Sequence, residues 1–373
     1  MDTAPQRDAV REPPMPKFNF PYSARSMTME VRKHPLRYGL VSSLNIFPLE
    51  PIDSTFVQVT EDNGVLQVLA AKERGAPGQK SDNGRQNLKI FQVPHFPVED
   101  QILASDLQDR MIVVEGREVR ANLPMELAKK QRTIARKHAI TAEYLRVQAL
   151  KGIIKDGDGT TLSNLYTDFG VSQHVVYFDL DNEEADIRGA DEALRGYIED
   201  NLLGETLAEV EVLVSPEFFG KFVEHPKVKA LYEAQDKREL RDLPRYTEAG
   251  ATGRMFNPFG PVTYVEYRGS APTKSGSERF IAAGEGHAYP VGTSETFATF
   301  AAPADTLSEL NDLPTIIDMD LGDNAGRFAL PIFMSAELMK HGKGVELWSE
   351  SNFLPLCKQP KVLVKVSASA DPG

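Results

Sequence analysis

Between Asn122 and Gly152 the sequence carries its longest helical signal. Pro124 suits a first turn, Gly152 suits a C-terminal cap, and Leu127, Ile134, Thr141 and Leu145 recur near one face. A second row, Ala128, Ala135, Ala139, Ala142 and Ala149, makes a narrow flank where another element can approach closely. About 30 residues at about 1.5 Å each give a rod of roughly 45 Å. Such a rod sets the long axis of a flat subunit.

The rod runs into "KGIIKDGDGTTLSNLYTDFG", Lys151 to Gly170, with two Asp-Gly pairs. A calcium loop of the EF-hand kind needs oxygen ligands at positions 1, 3 and 5, glycine at 6 and glutamate at 12. Counting from Asp156, Thr160 and Thr161 fall at positions 5 and 6, and Thr167 stands where the glutamate belongs. Asp-Gly is also a strong short signal for a tight hairpin turn, because glycine accepts positive φ. With Ile153 and Ile154 before it and Leu162, Leu165 and Tyr166 after it, we read a hairpin.

Upstream of the rod, residues 1–21 carry Pro5, Pro13, Pro14, Pro16 and Pro21 and little to bury, which predicts an extended arm. Residues 22–52 are less polar but broken by Pro35, Pro48 and Pro51, and are expected to lie across other structure. From Ser54 to Ala71, two apolar runs meet at Asn63-Gly64, a further hairpin signal. The polar, glycine-bearing stretch that follows turns apolar again at Leu88, Ile90, Phe91 and Val93. We read a long two-stranded excursion, which needs a partner surface because isolated ribbons are marginal in water.

Downstream, "NEEADIRGADEALRGYIEDNLLG" is an amphipathic helix with Ile187, Ala190, Leu194, Ile198 and Leu202 on one side and Gly204 as the stop. A strand at Val210–Val214, a helix opened by Ser215-Pro216, a polar loop over 233–260 and a strand at Val262–Tyr267 make the middle of the chain an α/β domain. Near the end, Val345 and Leu347, then Val362, Val364 and Val366, give two strand signals across a proline-bounded turn.

The 373 residues are enough for two or three domains, and 41% hydrophobic with 26% charged residues is an ordinary globular balance. No apolar run approaches the roughly 20 residues that span a bilayer. "MDTAPQRDAVREPPMPK" lacks an apolar h-region, so it is not expected to be a secretory signal, and cytoplasmic synthesis is the default. Cys357 is the single cysteine, which excludes an intramolecular disulfide and a multi-cysteine zinc site. A net charge of -12 argues against gripping nucleic acid through its phosphates.

No catalytic constellation is expected. There is no HExxH, CxxC or GxSxG. "GSAPTKS", Gly269 to Ser275, misses the Walker loop because Thr273 replaces the glycine before Lys274, and reads as a surface loop. The seven histidines are scattered, and the acidic run Asp181 to Asp186 is a solvated helix start. No cofactor and no metal site is predicted, and no enzyme.

A Pro-rich arm, a β excursion, a rod ended by an Asp-Gly hairpin, an α/β insertion and a C-terminal strand pair come in a specific order. With "RGAPG" (Arg74 to Gly78), "ALKGIIKDGDGTTLSNLYTDFG" (Ala149 to Gly170), "HAYPVGTSETFATFAAPADTLSELN" (His287 to Asn311) and "ESNFLPLCKQPKVLVKV" (Glu350 to Val366), the chain resembles the lambda-type major capsid proteins of tailed bacteriophages, the capsid E family. The match touches most of the chain from about residue 50 onward.

That resemblance implies an α+β, Hong Kong ninety-seven-like capsid fold: an N-terminal arm over 1–45, an extended hairpin and E-loop over 46–100, and a peripheral domain over 101–175 with its spine helix at 122–152. An axial domain over 176–285 and a return to the peripheral domain over 286–373 complete it. It implies a shell of hexamers and pentamers of this chain enclosing double-stranded DNA, with scaffolding, portal and decoration proteins as partners, and no membrane. Arg74, Lys80, Arg85 and Lys89 are the expected inter-subunit contacts. Whether Lys72, Lys80 or Lys89 forms covalent crosslinks, as in some relatives of this fold, or is solvated loop charge stays open at this level, the latter favoured because no partner motif is recognisable. A gene transfer particle, a cargo-enclosing nanocompartment and, last, a soluble α/β enzyme are the alternatives.

Removing residues 2–21 is predicted to leave the melting transition of the unassembled subunit nearly unchanged and to lower particle yield, because the stretch holds too few apolar side chains to build core. Differential scanning calorimetry on the truncated subunit checks this, and a large drop in Tm would place the arm in the core.

Overall fold

The computed structural model describes residues 24–32, 39–61, 87–108, 111–114, 117–120, 122–202, 205–234, 244–246, 252–274, 276–306 and 332–372. The fold is α+β, organised along one helix, Leu123–Lys151. Asn122 caps it, its side-chain oxygen accepting from the Met125 N–H, and Gly152 ends it at φ 77°, a left-handed conformation in which a side chain would collide with the Tyr166 ring.

The two halves of this helix do different work. Its N-terminal half packs Leu127, Ile134 and Ala135 on a three-stranded antiparallel sheet of Phe333–Leu338, Gly344–Ser351 and Phe96–Leu103, in that order. Met27 and Val31 of the short helix Ala24–Arg32 close this smaller core, and Thr28 fixes that helix by exchanging hydrogen bonds with the backbone of Met334. The C-terminal half is buried almost all round, from Ala142 to Tyr144 and Leu145 and again from Val147 to Leu150, inside the main core. Thr141 and Ala128, expected on the packed faces, are only half-buried; the Thr141 hydroxyl instead donates to the Lys137 carbonyl one turn earlier.

The main core is built on a seven-stranded mixed sheet in the order Pro244–Tyr246, Thr252–Phe256, Val262–Glu266, Glu209–Val214, Glu285–Val291, Val364–Ser367 and His174–Tyr177. Its central strand Glu209–Val214 is buried on both faces: Val210, Val212 and Val214 fill one, and Leu213 lies on the other beside the buried Glu211, whose carboxylate accepts from the Tyr289 hydroxyl at 2.8 Å. Helix Ile187–Asn201, capped by Asp186, buries Ile187, Leu194 and Ile198. Helix Pro216–Glu224, capped by Ser215, places Phe218 and Phe222 against Phe178 and Tyr264, with the Phe222 and Tyr264 rings 4.3 Å apart. The expected stop at Gly204 lies outside the described residues.

Three expectations need correction. The segment 233–260, read as a polar loop, carries two strands of the seven-stranded sheet, Pro244–Tyr246 and Thr252–Phe256. After the Asp-Gly turn, only Thr161–Asn164 is strand, and Leu165 and Tyr166 begin a one-turn helix, Leu165–Phe169. The Asn164 side chain caps that turn and Gly170 stops it at φ 67°, so local capping overrides β-compatible residue types. The two C-terminal strand segments do not pair. Gly344–Ser351 lies in the three-stranded sheet and Val364–Ser367 in the seven-stranded one, while Phe353–Cys357 between them joins a third sheet with Phe297–Ala301 and Leu49–Pro51. Tandem apolar segments show which residues are buried and not which strand each one meets.

Buried polar groups tie the parts together. The carboxylate of Glu143, fully buried on the long helix, accepts from the backbone N–H groups of Val41 (2.9 Å) and Ser42 (2.8 Å), from the Ser42 hydroxyl (2.5 Å) and from the Tyr267 hydroxyl (2.6 Å). It therefore fastens the N-terminal segment and the end of strand Val262–Glu266 to the helix. Gly39 leaves room for this, since a Cβ there would run into Glu143 and Tyr267. Toward the other half, His138 bonds the Ser351 hydroxyl through Nδ1 (2.8 Å) and the Ser349 hydroxyl through Nε2 (3.1 Å). Burial, with Lys137 nearby, pushes its pKa down from 6.5 to about 4.

Glu143→Ala is predicted to destabilise the unassembled subunit by about 3 kcal/mol, and Tyr267→Phe by about 1 kcal/mol, because the first orphans several buried donors and the second removes one hydrogen bond; urea unfolding measures both. A histidine held neutral in the fold but protonated in the unfolded chain contributes stability above pH 6.5 that is lost as pH falls toward about 4. His138→Gln is accordingly expected to flatten the loss of stability between pH 7 and pH 5, read from urea midpoints at each pH.

Candidate inter-subunit surface

The excursion leaves the body as an antiparallel ribbon, Phe56–Glu61 against Asn87–Gln92, in the register Phe56 with Gln92 and Val59 with Lys89. Alternation splits it into two faces. Val57, Val59 and Phe91, followed by Val93, point into the main core, and Phe91 stacks on Phe169 at 5.8 Å. On the opposite face Phe56, Leu88 and Ile90 are 44%, 52% and 63% exposed. Three large apolar side chains in one solvent-facing row are unusual for a ribbon this short.

Of the four expected contact residues, Lys89 is placed: it sits half-buried on the ribbon and lines a groove with Ile90, Gln92, Leu162, Asn164 and Leu354. Arg74, Lys80 and Arg85 lie outside the described residues, as does the Asn63-Gly64 turn. Leu162, 39% exposed, extends the apolar strip across the groove. The strands facing each other over it, Asn87–Gln92 and Thr161–Asn164, each have one pairing partner among the described residues, which leaves each with one edge unpaired among them.

The Asp-Gly turn beyond Thr161 is closed by its own chemistry. Asp156 accepts at its side chain from the N–H groups of Asp158 (2.9 Å) and Thr160 (3.0 Å), and Gly159 takes φ 85°. The Asp158 carboxylate pairs with Lys274 at 2.6 Å. Lys274 follows strand Ser270–Thr273, which pairs with Gly276–Arg279, so "GSAPTKS", read as a surface loop, is mostly one strand of a hairpin and not a strand-to-helix phosphate cradle.

Ala302 to Thr306 and Glu350 to Asn352, parts of two segments that carry the resemblance, are held against each other. The Ala302 N–H donates to the Asn352 carbonyl, the Asn352 side chain donates to the Pro303 carbonyl, and the Asp305 N–H donates to the buried Glu350 carboxylate at 2.7 Å. His95, at the root of the ribbon, reaches the Asn352 side-chain oxygen at 2.7 Å and lies 3.7 Å from Glu350. Sequence reasoning missed this knot, as it missed Glu143, because a carboxylate's burial leaves no periodic signature.

Among the described residues no group of three His, Cys, Asp or Glu side chains is arranged to hold a metal ion, and no helix is long and apolar enough to cross a membrane. Cys357 is fully buried, and burial pushes its thiol well above the usual range, which leaves it unreactive. What the described surface offers is an apolar ribbon face, open strand edges and paired charges, the means of adding to another protein surface.

Comparison with known proteins bears on what that surface serves. Residues 23–368 match the model of the family described as phage major capsid protein E. The chain is 29% identical to the major capsid protein of Salmonella phage Felix O1 over 93% of its own length and 96% of that protein. It is 28% identical to the major capsid protein of Pseudomonas phage KPP10 over 95% and 99% of the two chains. A solved prophage protein of E. coli CFT073, described as a capsid protein, superposes with a TM-score of 0.57 at 13% identity, covering 93% of this chain and 99% of that one, which fixes the fold as Hong Kong ninety-seven-like. By its family match, its near full-length relatives and its fold, the chain belongs to the phage major capsid protein E family.

Proposed function

We propose that this major capsid protein assembles with itself into hexamers and pentamers that close an icosahedral shell around double-stranded phage DNA. The observation that carries the contact is the ribbon. It turns Phe56, Leu88 and Ile90 outward, and a two-stranded ribbon with an apolar outer face gains stability by being covered. A neighbouring copy that covers it and pairs with an open edge supplies the heterologous contact from which rings close.

The proposed division of labour follows the chain. The arm (1–45) and the excursion (46–100) reach other subunits, the segment 101–175 with the long helix and the return over 286–373 form the peripheral part, and 176–285 forms the axial part. Arg74, Lys80, Arg85 and Lys89 are the proposed contacts of the excursion, with charge-assisted bonds to carboxylates. The role is structural rather than catalytic. Scaffolding and portal proteins, and a decoration protein, are the proposed partners, and assembly takes place in the host cytoplasm. A net charge of -12 suits a container that holds DNA without adhering to it.

Each exposed ion pair contributes only about 0.2 to 1 kcal/mol, but a shell repeats the contact at every subunit. Replacing residues 74–85 by a short Gly-Ser turn is therefore predicted to leave a folded, soluble subunit by circular dichroism and to abolish or weaken particles in sedimentation. Normal particle yield and salt resistance from that variant would make the tip an ordinary surface loop. Nuclease-protected DNA inside wild-type particles distinguishes a virion shell from a protein-filled compartment.

A further inference from the structure

The long helix turns a cationic stripe to solvent along its N-terminal half. From Leu127 to Ala142 it carries no acidic residue and five basic ones, Lys129, Lys130, Arg132, Arg136 and Lys137, in a chain whose net charge is -12. Lys129, Arg132 and Arg136 follow the i, i+3, i+7 spacing that keeps side chains on one face, and all three are exposed. This face lies opposite the one that packs Leu127, Ile134 and Ala135 on the three-stranded sheet. Neither Arg132 nor Arg136 has an ion-pair partner among the described residues, and Lys129 meets only Glu126, at 4.0 Å, with 60% of its own side chain exposed. The other two cations are turned elsewhere. Lys130 pairs with Asp100 at 2.7 Å, and Lys137 lies beside His95, His138 and the Asp-Gly turn. On the outward face of the sheet Glu99, Glu337 and Glu346 are exposed, with Glu337 and Glu346 directly opposite each other. Helix and sheet thus form a two-layered slab, cationic on the helix side and anionic on the sheet side.

We propose that Lys129, Arg132 and Arg136 form a contact for the phosphates of the enclosed double-stranded DNA; the inference rests on the shell reading and names the side chains that the DNA meets. Charge complementarity selects the occupant. A filled shell has a polyanion on one side only, so of the two faces of the slab the cationic one is the face that lies against it without repulsion. From Lys129 to Arg136 the helix advances about 10 Å, a length over which a duplex presents on the order of six phosphates. A straight helix therefore sets all three cations against one stretch of nucleic-acid backbone. Two of the three are guanidiniums, whose planar forks bond phosphate oxygens in pairs. The contact is to backbone alone and carries no sequence preference. The net charge of -12 keeps the rest of the surface from adhering, so the attraction is local. Three contacts are weak on one subunit, and repetition around the shell lets them order the outermost DNA without trapping it.

The test uses the full chain, first as the unassembled subunit and then as particles. Fluorescence anisotropy with a duplex of about 20 base pairs is expected to show weak binding whose log K falls with log[salt] at a slope of about -2.7, three phosphates at about 0.9 each. Lys129→Gln, Arg132→Gln and Arg136→Gln together are expected to bring that slope near zero and to weaken binding about tenfold at low salt, with the thermal midpoint unchanged. Arg132→Lys with Arg136→Lys keeps the charges and is expected to keep the slope. A stripe that merely supported the fold would lower the thermal midpoint in the glutamine variant and leave the slope alone. In particles, Lys129 is expected to resist acetylation when DNA fills the shell and to react in empty shells. No duplex binding by the wild-type subunit, an unchanged slope in the glutamine variant, or equal acetylation of Lys129 in filled and empty shells overturns the phosphate contact and leaves the shell reading standing. Polyglutamate that binds the stripe more tightly than the duplex does would assign it to an acidic protein and overturn the DNA assignment. Wild-type protein that forms no particle under any assembly condition fails the shell reading itself.

Discussion

The carboxylate of Glu143 is the point on which the subunit's arrangement depends. A buried carboxylate is costly unless nearly every acceptor position is used, and here two backbone N–H groups and two hydroxyls converge on it from elements far apart in the chain. The arrangement makes the long helix, the segment at Leu40–Leu44 and the strand ending at Glu266 mutually dependent. At the other half of the same helix, His138 does a smaller version of the same job with Ser349 and Ser351. One rod thus carries two cores with a polar fastener in each. That gives a stiff body on which the ribbon lays its inward row, Val57, Val59 and Phe91, while its outward row stays exposed.

The division between body and projection explains where apolar surface is left exposed. Inside the body, Tyr264, Phe218, Leu194 and Val212 are fully buried. On the ribbon the inward row is equally buried, and the outward row of Phe56, Leu88 and Ile90 is left to solvent in the single chain. Apolar burial is worth roughly 25 cal/mol per Å², so covering a row like this adds a useful increment per contact without making the free subunit insoluble. A closed shell asks for contacts of this kind, weak singly so that errors can dissociate, and strong when repeated around a ring.

Much of the fold was legible because its signals are local. Asn122, Pro124 and Gly152 bound the long helix and appear as its cap, first turn and stop; Ser215-Pro216 opens a helix as read; Asp156 and Gly159 make the turn they announce. What failed was non-local. The segments around Leu347 and Val364 were correctly read as strands but wrongly paired with each other, because pairing is decided by partners such as Phe96–Leu103 and Glu285–Val291, more than seventy residues away in sequence. Leu165 and Tyr166 were read as strand because their types suit one, and the Asn164 cap decided otherwise. The contact surface was legible only in part: the need for a partner followed from the ribbon, while the exposed row and the Glu350 knot required the structure.

Hydrogen exchange compared between free subunits and closed particles tests the central claim most directly, because it reads the ribbon and the body in one experiment. The account predicts that amides of Phe56–Glu61 and Asn87–Gln92 exchange readily in the free subunit and become strongly protected in the particle, while those of the long helix around Glu143 are protected equally in both. Ribbon amides with the same protection in the free and the assembled protein would contradict it, since the ribbon would then be complete without a neighbour.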